Sequence, residues 1–280
     1  MLRIAVPNKG SLSEIAAEML AEAGYSGRRD SRKLVHADTR NDVEFFYLRP
    51  RDIATYVGSG ALDVGITGRD LLLDSGSGAV EIAALDFADS TFRFASPAGG
   101  DVSDIAHLAG KRVATSYPRL VDDFLRERGI EAELVKLDGA VESAVQLGVA
   151  DAVADVVSTG ATLRAAGLEI FGPVILESTA LLVGGPTQHP GSERLLRRLR
   201  GVLVARKYVI VEYDLPTAQI EAATAVANGI ESPTVSPLEK AGWVAVRVMV
   251  RRDDANEVMD RLYDLGAKGI FVTQVHAARF

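Results

Sequence analysis

LGVADAVADVVSTGATL, residues 147–163, is the stretch on which the fold turns. Its apolar core, 151–157, has the length and composition of a strand buried on both faces. A cluster of hydroxyls around Gly160 then breaks the run before a helix can start. SGALDVGITGRDLL (59–72) has the same cadence: a glycine, two residues, an aspartate, an apolar strand, then Thr-Gly. Either the two segments are equivalent parts of two similar α/β lobes, or a glycine-rich chain has produced a chance likeness. On the first reading each lobe offers a Thr-Gly turn at the carboxyl end of a strand, where open α/β sheets bind ligands, and the ligand lies in the cleft between the lobes.

The rest of the first 200 residues suits that plan. LRIAVP (2–7) reads as a short buried strand. A helical face follows through Leu12, Ile15, Ala16, Met19, Leu20 and Ala23, opened by the capping-box pair Ser11 and Glu14 and closed by Gly24. Further strands are expected at 43–48, 61–67, 111–116, 132–137, 151–157 and 180–185. Helices are expected from Pro50, over 118–129, over about 140–148 and over 192–207. Strands alternating with helices imply parallel sheets covered on both faces.

After 207 the pattern changes. YVIVEYD (208–214) is a strand, PTAQIEAATAV a helix opened by proline, and IESPTVSPL an irregular edge strand. WVAVRVMV (243–250) alternates strictly. ANEVMDRLYDLG is a helix with Val258, Met259, Leu262 and Leu265 inward, and GIFVTQV is a last strand. The order β-α-β-β-α-β is that of a ferredoxin-like unit. The expected divisions are a first lobe over 1–91, re-entered at about 180–206, a second lobe over 92–179, and a C-terminal domain over 207–280.

Composition narrows the chemistry. The 280 residues are 48% hydrophobic and 25% charged, as in ordinary globular domains. No apolar run is long enough to span a bilayer, and MLRIAVPNKG lacks the pattern of a signal peptide, so a cytoplasmic chain with no membrane partner is expected. The absence of cysteine excludes thiolate nucleophiles and cysteine metal sites and suits a reducing compartment. A net charge of −7 argues against a nucleic-acid partner while leaving room for a local basic pocket. The four histidines, His36, His107, His189 and His276, are scattered without helical metal-ligand spacing.

Several segments nevertheless converge on anion chemistry. In PNKGSLSE (7–14) a strand runs through Lys9 and Gly10 directly into a helix N-terminus. That is an anion site, or else a plain connection with a solvated lysine. Arg49 stands at a strand end with Pro50 opening the next helix. Arg69 and Asp70 follow the first Thr-Gly turn, where Asp70 is a site residue or merely a helix cap. Ser90, Thr91 and Arg93 fall where the chain crosses between lobes.

Asp155 is the most telling residue. A carboxylate near the end of an apolar parallel strand is costly to bury unless donors or a metal meet it, and a sugar diol supplies donors. Ser158, Thr159, Gly160, Ala161 and Thr162 then form a turn whose amides and hydroxyls can wrap a phosphate. Carboxylate plus phosphate cradle describes ribose 5-phosphate. The other reading is a capped turn in which Asp155 bonds to local backbone.

Taken together, the start IAVPNKG, EFFYLRPRDI, LDVGITGRDLL, LDGAVESAVQLGVADAVADVVSTGATL and ESPTVSPL resemble the ATP phosphoribosyltransferase family in its long form, over essentially the whole chain. The resemblance implies an α/β fold of two periplasmic-binding-protein-like lobes with a cleft between them, plus a C-terminal ferredoxin-like regulatory domain. It implies attack of N1 of ATP adenine on C1 of 5-phosphoribosyl 1-pyrophosphate, with Mg²⁺ present and pyrophosphate leaving, as the first step of histidine biosynthesis. The segment from Asp155 through Ser158, Thr159, Gly160, Ala161 and Thr162 to Leu163 matches the phosphoribosyl-binding loop. Lys9, Arg49, Asp70 and Ser90 match the nucleotide and pyrophosphate side, with Lys9, Arg49 and Asp155 in catalytic roles. Glu142, with Asp155, is the expected metal environment. Asp214, Ile230, Ser232, Thr234, Met249 and Gly269 match a pocket for histidine as feedback inhibitor, and a homo-oligomer, a hexamer assembled from dimers, is implied.

Two other classes fit parts of the sequence. A two-lobed solute-binding protein without catalysis would share the cleft but not the cationic and phosphate-loop residues within it. A stand-alone amino-acid sensor would keep the lobes only as relics.

Overall fold

The computed structural model describes residues 1–27, 32–157 and 159–279. In chain order the first part holds β1 (Leu2–Pro7), α1 (Ser11–Glu22), β2 (Val35–Asp38), β3 (Val43–Leu48), α2 (Pro50–Gly58), β4 (Val64–Gly68), α3 (Arg69–Ser75) and β5 (Val80–Ala84). The chain then crosses to β6 (Ser90–Pro97), β7 (Arg112–Thr115), α4 (Pro118–Arg126), β8 (Glu133–Lys136), α5 (Ser143–Gln146), β9 (Ala152–Val157), α6 (Ala161–Ala165) and β10 (Leu168–Ser178). It returns in β11 (Ala180–Gly184) and runs on into α7 (Gly191–Lys207).

Two sheets result, with strand orders β2-β3-β1-β4-β11-β5 and β8-β7-β9-β6-β10. In the first, β3, β1 and β4 are parallel, while β11 and then β5 join antiparallel. In the second, β8, β7 and β9 are parallel, while β6 and then β10 join antiparallel. The five-strand pattern is therefore the same in both lobes. In each, the fourth strand is the one that arrives from the other lobe.

The shared glycine-x-x-aspartate pattern has a physical role at the start of the equivalent strands β4 and β9. In the first lobe the Arg3 backbone N–H donates to Asp63 at 2.7 Å, the Asp63 N–H donates to the Arg3 carbonyl at 3.0 Å, and the Arg3 guanidinium reaches the Gly60 carbonyl at 3.5 Å. In the second, the Arg112 N–H donates to Asp151 at 2.9 Å, the Asp151 N–H donates to the Arg112 carbonyl at 2.9 Å, and the guanidinium reaches the Gly148 carbonyl at 2.9 Å. The same arginine–aspartate clip, built twice, favours equivalent lobes over chance likeness.

Each lobe has its own core. Ala5, Ile53, Val57, Leu72, Leu181 and Val183 pack together in the first. In the second, Phe92, Phe94, Val113, Phe124 and Phe171 fill one face of the sheet, and Ala114, Val141, Val153 and Leu163 the other.

The C-terminal region holds β12 (Tyr208–Pro216), α8 (Ile220–Val226), β13 (Thr234–Pro237), β14 (Trp243–Arg251), α9 (Ala255–Asp264) and β15 (Lys268–Gln274). The sheet order β13-β14-β12-β15, antiparallel throughout, is the ferredoxin-like arrangement. One sheet face and the inner sides of α8 and α9 bury Val209, Val211, Val246 and Val248 with Val258 and Leu262, while Met259 and Leu265 pack alongside. β13 is the exposed edge strand expected from its prolines.

Some expectations need correction. The helix expected over about 140–148 shrinks to Ser143–Gln146, because Gly139 and Ala140 both adopt positive φ and spend the preceding residues on a turn. Pro216 ends β12 instead of opening a helix; a 3₁₀ turn, Thr217–Gln219, precedes α8. Strands β2, β5, β6 and β10 lie where the sequence pattern announces none. β10 is interrupted at Gly172 and Pro173, which the structure accommodates in a register shift between Phe171 and Leu176. The expected cap by Ser11 lies outside the described side chains, although α1 begins at that residue.

Candidate active site

The carboxyl ends of the parallel strands in the two lobes supply the site. β1 ends at Pro7, and Gly10, with φ +76°, turns the chain into α1. Lys9 and Gly10 line a cavity of about 460 Å³ together with Arg49, Arg51, Tyr117 and Asp138. Arg49 precedes Pro50, the first residue of α2, so the strand-to-helix turn of β3 presents a guanidinium beside the lysine of β1. Neither Lys9 nor Arg49 forms an ion pair among the described residues, so both charges are available to an anion.

A second cavity, of about 490 Å³, lies at the two crossings between lobes. It is lined by Arg69, Ser90, Thr91, Val157, Ser178 and the acidic Asp89, among others. Ser90 and Ser178 are partners in the β6–β10 ladder.

Asp70 and Tyr117 connect the two spaces. Asp70 is 7% exposed. Its Oδ1 accepts from the Ser178 hydroxyl at 2.9 Å, and its own N–H donates to the same oxygen at 3.1 Å. It is not the cap of α3, whose N-cap is Gly68. The Tyr117 hydroxyl also donates to Asp70, and burial first, then the Asp70 charge, hold that phenol well above its usual pKa. Arg51 lies over the Tyr117 ring, 4.8 Å from its centroid. A carboxylate has about four acceptor positions, so Asp70 retains capacity for a further donor.

Asp155 sits half-buried near the end of β9. Burial is the main cause of its raised pKa; the charges of Glu142 and Asp70 add to it, and the hydrogen bond from the Val156 N–H, at 2.8 Å, works the other way. Asp155 thus feels two other carboxylates, and among the described residues no arginine or lysine pairs with it. Arg93, directly opposite it in the β6–β9 ladder, instead donates to the Gly172 carbonyl at 2.9 Å, on the far side of its strand.

The turn after β9 is as open as the turn after β4 is closed. Thr159 is exposed, and Gly160 adopts φ +70° as the N-cap of α6. The Ala161 N–H points at the Thr159 hydroxyl at 3.4 Å. The N–H groups of Thr162 and Leu163, in the first turn of a helix, have no acceptor within it. The Leu163 side chain is in the core, so only its backbone faces the loop. Arg164 folds back to donate to the Thr159 carbonyl at 2.9 Å, placing a guanidinium at this turn. Ser158 lies outside the described residues.

The structure therefore brings Lys9 and Arg49 together in one cavity, Ser90 into the other, and Asp70 and Glu142 within electrostatic reach of Asp155. Sequence reasoning missed Arg51, Tyr117, Ser178 and Arg164. Arg51 was visible in RPRD, but Tyr117 and Ser178 carry no local signal, since only the fold brings them to Asp70.

Among the described residues no cluster of three or more histidine, aspartate or glutamate side chains forms a metal cage. Glu142 and Asp155 are hard oxygen donors, and among the described residues neither forms an ion pair. That suits a divalent ion held by one or two carboxylates and completed by substrate phosphates.

In the C-terminal region a cavity of about 270 Å³ is lined by Asp214, Thr234, Ser236, Ala245, Arg247 and Phe271, among others. Gly269, with φ +58°, brings its backbone against Asp214; a Cβ there would stand 3.8 Å from the carboxylate. Met249 shares this sheet face, two alternations along β14 from Ala245, and pairs with Ile210. Ile230, Ser232 and Met249 do not line the cavity, whereas Asp214 and Thr234 do.

Among the described residues, no helix is long and apolar enough to cross a membrane. The family model described as ATP phosphoribosyltransferase matches residues 49–201, and the model of the family's C-terminal domain matches residues 205–277. Curated proteins named ATP phosphoribosyltransferase from Paenarthrobacter aurescens and Pseudarthrobacter chlorophenolicus are 60% and 61% identical, with 100% of both chains covered in each comparison. An ATP phosphoribosyl transferase (HisG:HisZ) complex from Thermotoga maritima contains a chain that superposes with a TM-score of 0.64 at 28% identity, covering 72% of this chain and 98% of that one.

Proposed function

Because this chain belongs to the ATP phosphoribosyltransferase family in its long form, a family of pentosyl transferases that opens histidine biosynthesis, we propose residue roles for the transfer on the geometry just described. The reaction joins the phosphoribosyl group of 5-phosphoribosyl 1-pyrophosphate to N1 of ATP adenine and releases pyrophosphate. A solute-binding protein without catalysis is not favoured, since full-length relatives near 60% identity carry the transferase name.

One observation carries the assignment of residues. Asp155, half-buried and without a cationic partner among the described residues, stands near the end of β9, just before Gly160's turn with its exposed Thr159, and Lys9 and Arg49, unpaired among the described residues, share the cavity at the other lobe's strand ends. Asp155 accepts from the ribose hydroxyls. Thr159, Gly160, Ala161, Thr162 and the Leu163 amide, with Ser158, hold the 5-phosphate at the turn and the first helical N–H groups.

Adenine N1 carries a lone pair and no proton, so the attack requires no general base. The chain must place N1 in line with C1 and offset charge as it moves from ribose to pyrophosphate. Lys9 and Arg49 meet the anionic groups, Asp155 offsets the positive charge that grows on the ribose ring, and Asp70 and Ser90 bind on the nucleotide and pyrophosphate side. Glu142 and Asp155 would hold Mg²⁺, which would supply neutralisation of the leaving pyrophosphate. Incubation with ATP, Mg²⁺ and 5-phosphoribosyl 1-pyrophosphate tests the reading through the near-ultraviolet absorbance of the product; absence of product with folded protein ends it.

The proposed divisions are 1–91 with re-entry at about 180–206, 92–179, and 207–280. Asp214 meets the ammonium of histidine, with Thr234 and Gly269 beside it and Ile230, Ser232 and Met249 completing the pocket. Inhibition by added histidine that Asp214→Ala abolishes would support this. Assembly into a hexamer from dimers and a cytoplasmic location complete the reading; sedimentation checks the first.

A further inference from the structure

The turn after β7 is fixed by a residue of the other lobe. α4 begins at Pro118, and its N-cap, Tyr117, offers no side-chain cap. The missing acceptor comes from α3: Asp74 Oδ1 accepts from the Arg119 N–H at 3.0 Å and the Leu120 N–H at 3.3 Å. The other oxygen, Oδ2, accepts from Arg51 Nη1 at 3.0 Å. The Asp74 side chain is 9% exposed, so these partners fill its surroundings.

These bonds bear on the cavity that contains Lys9 and Arg49. Arg51 and Tyr117 are two of its walls, one from each lobe. Arg51 is held from behind by Asp74 and lies over the Tyr117 ring. Tyr117 is the residue from which the Asp74-capped helix departs, and its hydroxyl is spent on Asp70. One carboxylate therefore sets the position of both walls, across the division between lobes.

We propose that Asp74 is a positioning residue of the transfer reaction: by capping α4 from the opposite lobe and anchoring Arg51, it holds the two walls of the nucleotide cavity together. The proposal rests on the reading that Lys9 and Arg49 stand on the nucleotide and pyrophosphate side, and it takes the cavity they share as the one that receives ATP. A negative side chain at the N-terminus of a nine-residue helix is favoured by the helix dipole as well as by the two hydrogen bonds. Its removal frees both Arg51 and the start of α4.

The test compares wild type with Asp74→Ala and Asp74→Asn. The asparagine variant keeps an acceptor for the two amides but loses the charge opposite Arg51, and it preserves the fold if the alanine variant does not. The expected result is a rise of about tenfold or more in KM for ATP in Asp74→Ala, a smaller rise in Asp74→Asn, and a KM for 5-phosphoribosyl 1-pyrophosphate within about twofold of wild type. A Tm loss with both KM values unchanged, or equal rises in both, overturns the proposal. Calorimetric titration with ATP alone reads the same cavity without turnover. Weaker ATP binding in the variants sustains Asp74 even if the wild type makes no product, an outcome that would sink only the reaction reading. Equal ATP binding in all three proteins, including none, overturns it.

Discussion

The turns after β4 and β9 occupy the same place in two lobes of the same strand order, yet their side chains are bonded differently. After β4, Thr67 is fully buried with its hydroxyl on the Pro50 carbonyl at 2.9 Å, and Asp70 is committed to Ser178 and Tyr117. After β9, Thr159 is exposed, and half-buried Asp155 pairs with no arginine or lysine among the described residues. In one copy the polar side chains bond across to other elements; in the other, among the described residues, the bonds stay within the turn and its neighbours. On the proposed reading, a duplicated fold separates stability from binding by tying one of two like turns to distant elements and leaving the other with local bonds alone.

The strongest way to break this contrast is to neutralise each aspartate in turn. Asp155→Asn is expected to lower kcat by about 10²-fold or more, because a charge aimed at the developing oxocarbenium is lost. Its effect on stability should have the opposite sign. A carboxylate whose folded pKa is raised favours the fold only when protonated, and that contribution is lost as pH rises through the folded value. At neutral pH the charge therefore opposes folding, and the Tm of the ligand-free variant should be unchanged or higher. Full activity, or a clear Tm loss at pH 7, would contradict the contrast.

The same logic places Gly160→Ala next. A side chain at φ +70° costs about 1–2 kcal/mol and would press on Arg164, 3.0 Å from the new Cβ. We expect KM for 5-phosphoribosyl 1-pyrophosphate to rise about tenfold with KM for ATP little changed, read by steady-state kinetics. Asp70→Asn tests the other turn. It places an amide against the hydroxyls of Ser178 and Tyr117, and the loss is about 1–3 kcal/mol of stability, measured by denaturant unfolding. An Asp70→Asn variant as stable as wild type would mean that the two turns are not divided as described.

How much of this was legible follows from the range of each interaction. The repeated glycine-x-x-aspartate cadence announced the lobes because the clip it makes is local to adjacent strands. Lys9, Arg49 and Asp155 were readable because each stands at a strand end whose position the sequence marks with glycine, proline or hydroxyl residues. Tyr117 and Ser178 were not, since they reach Asp70 from 47 and 108 positions away and nothing in their neighbourhoods signals a partner. β10 was hidden by Gly172 and Pro173, which break a strand pattern unless a bulge absorbs them. Asp74 looked like an ordinary polar residue on a short helix, because the amides it caps belong to the other lobe.

The smallest expected effect concerns the clips that the two turns share. Asp151 is lowered to about 2, chiefly by hydrogen bonds from the Arg112 side chain and backbone. A depressed carboxylate stabilises the fold above its unfolded pKa of about 3.9, and the contribution is lost as pH falls toward the folded value. Arg112 and Asp151 are both about one-third exposed, so solvent screening keeps the effect slight. Asp151→Asn should therefore lower Tm modestly at pH 7 and leave it closer to wild type near pH 2. Asp63→Asn, which removes the equivalent clip around Arg3, should lower Tm at neutral pH in the same direction if the lobes are equivalent. A Tm difference for Asp151→Asn that grows as pH falls from 4 to 2 would refute the electrostatic account, since protonation of Asp151 in the wild type can only bring the two proteins together.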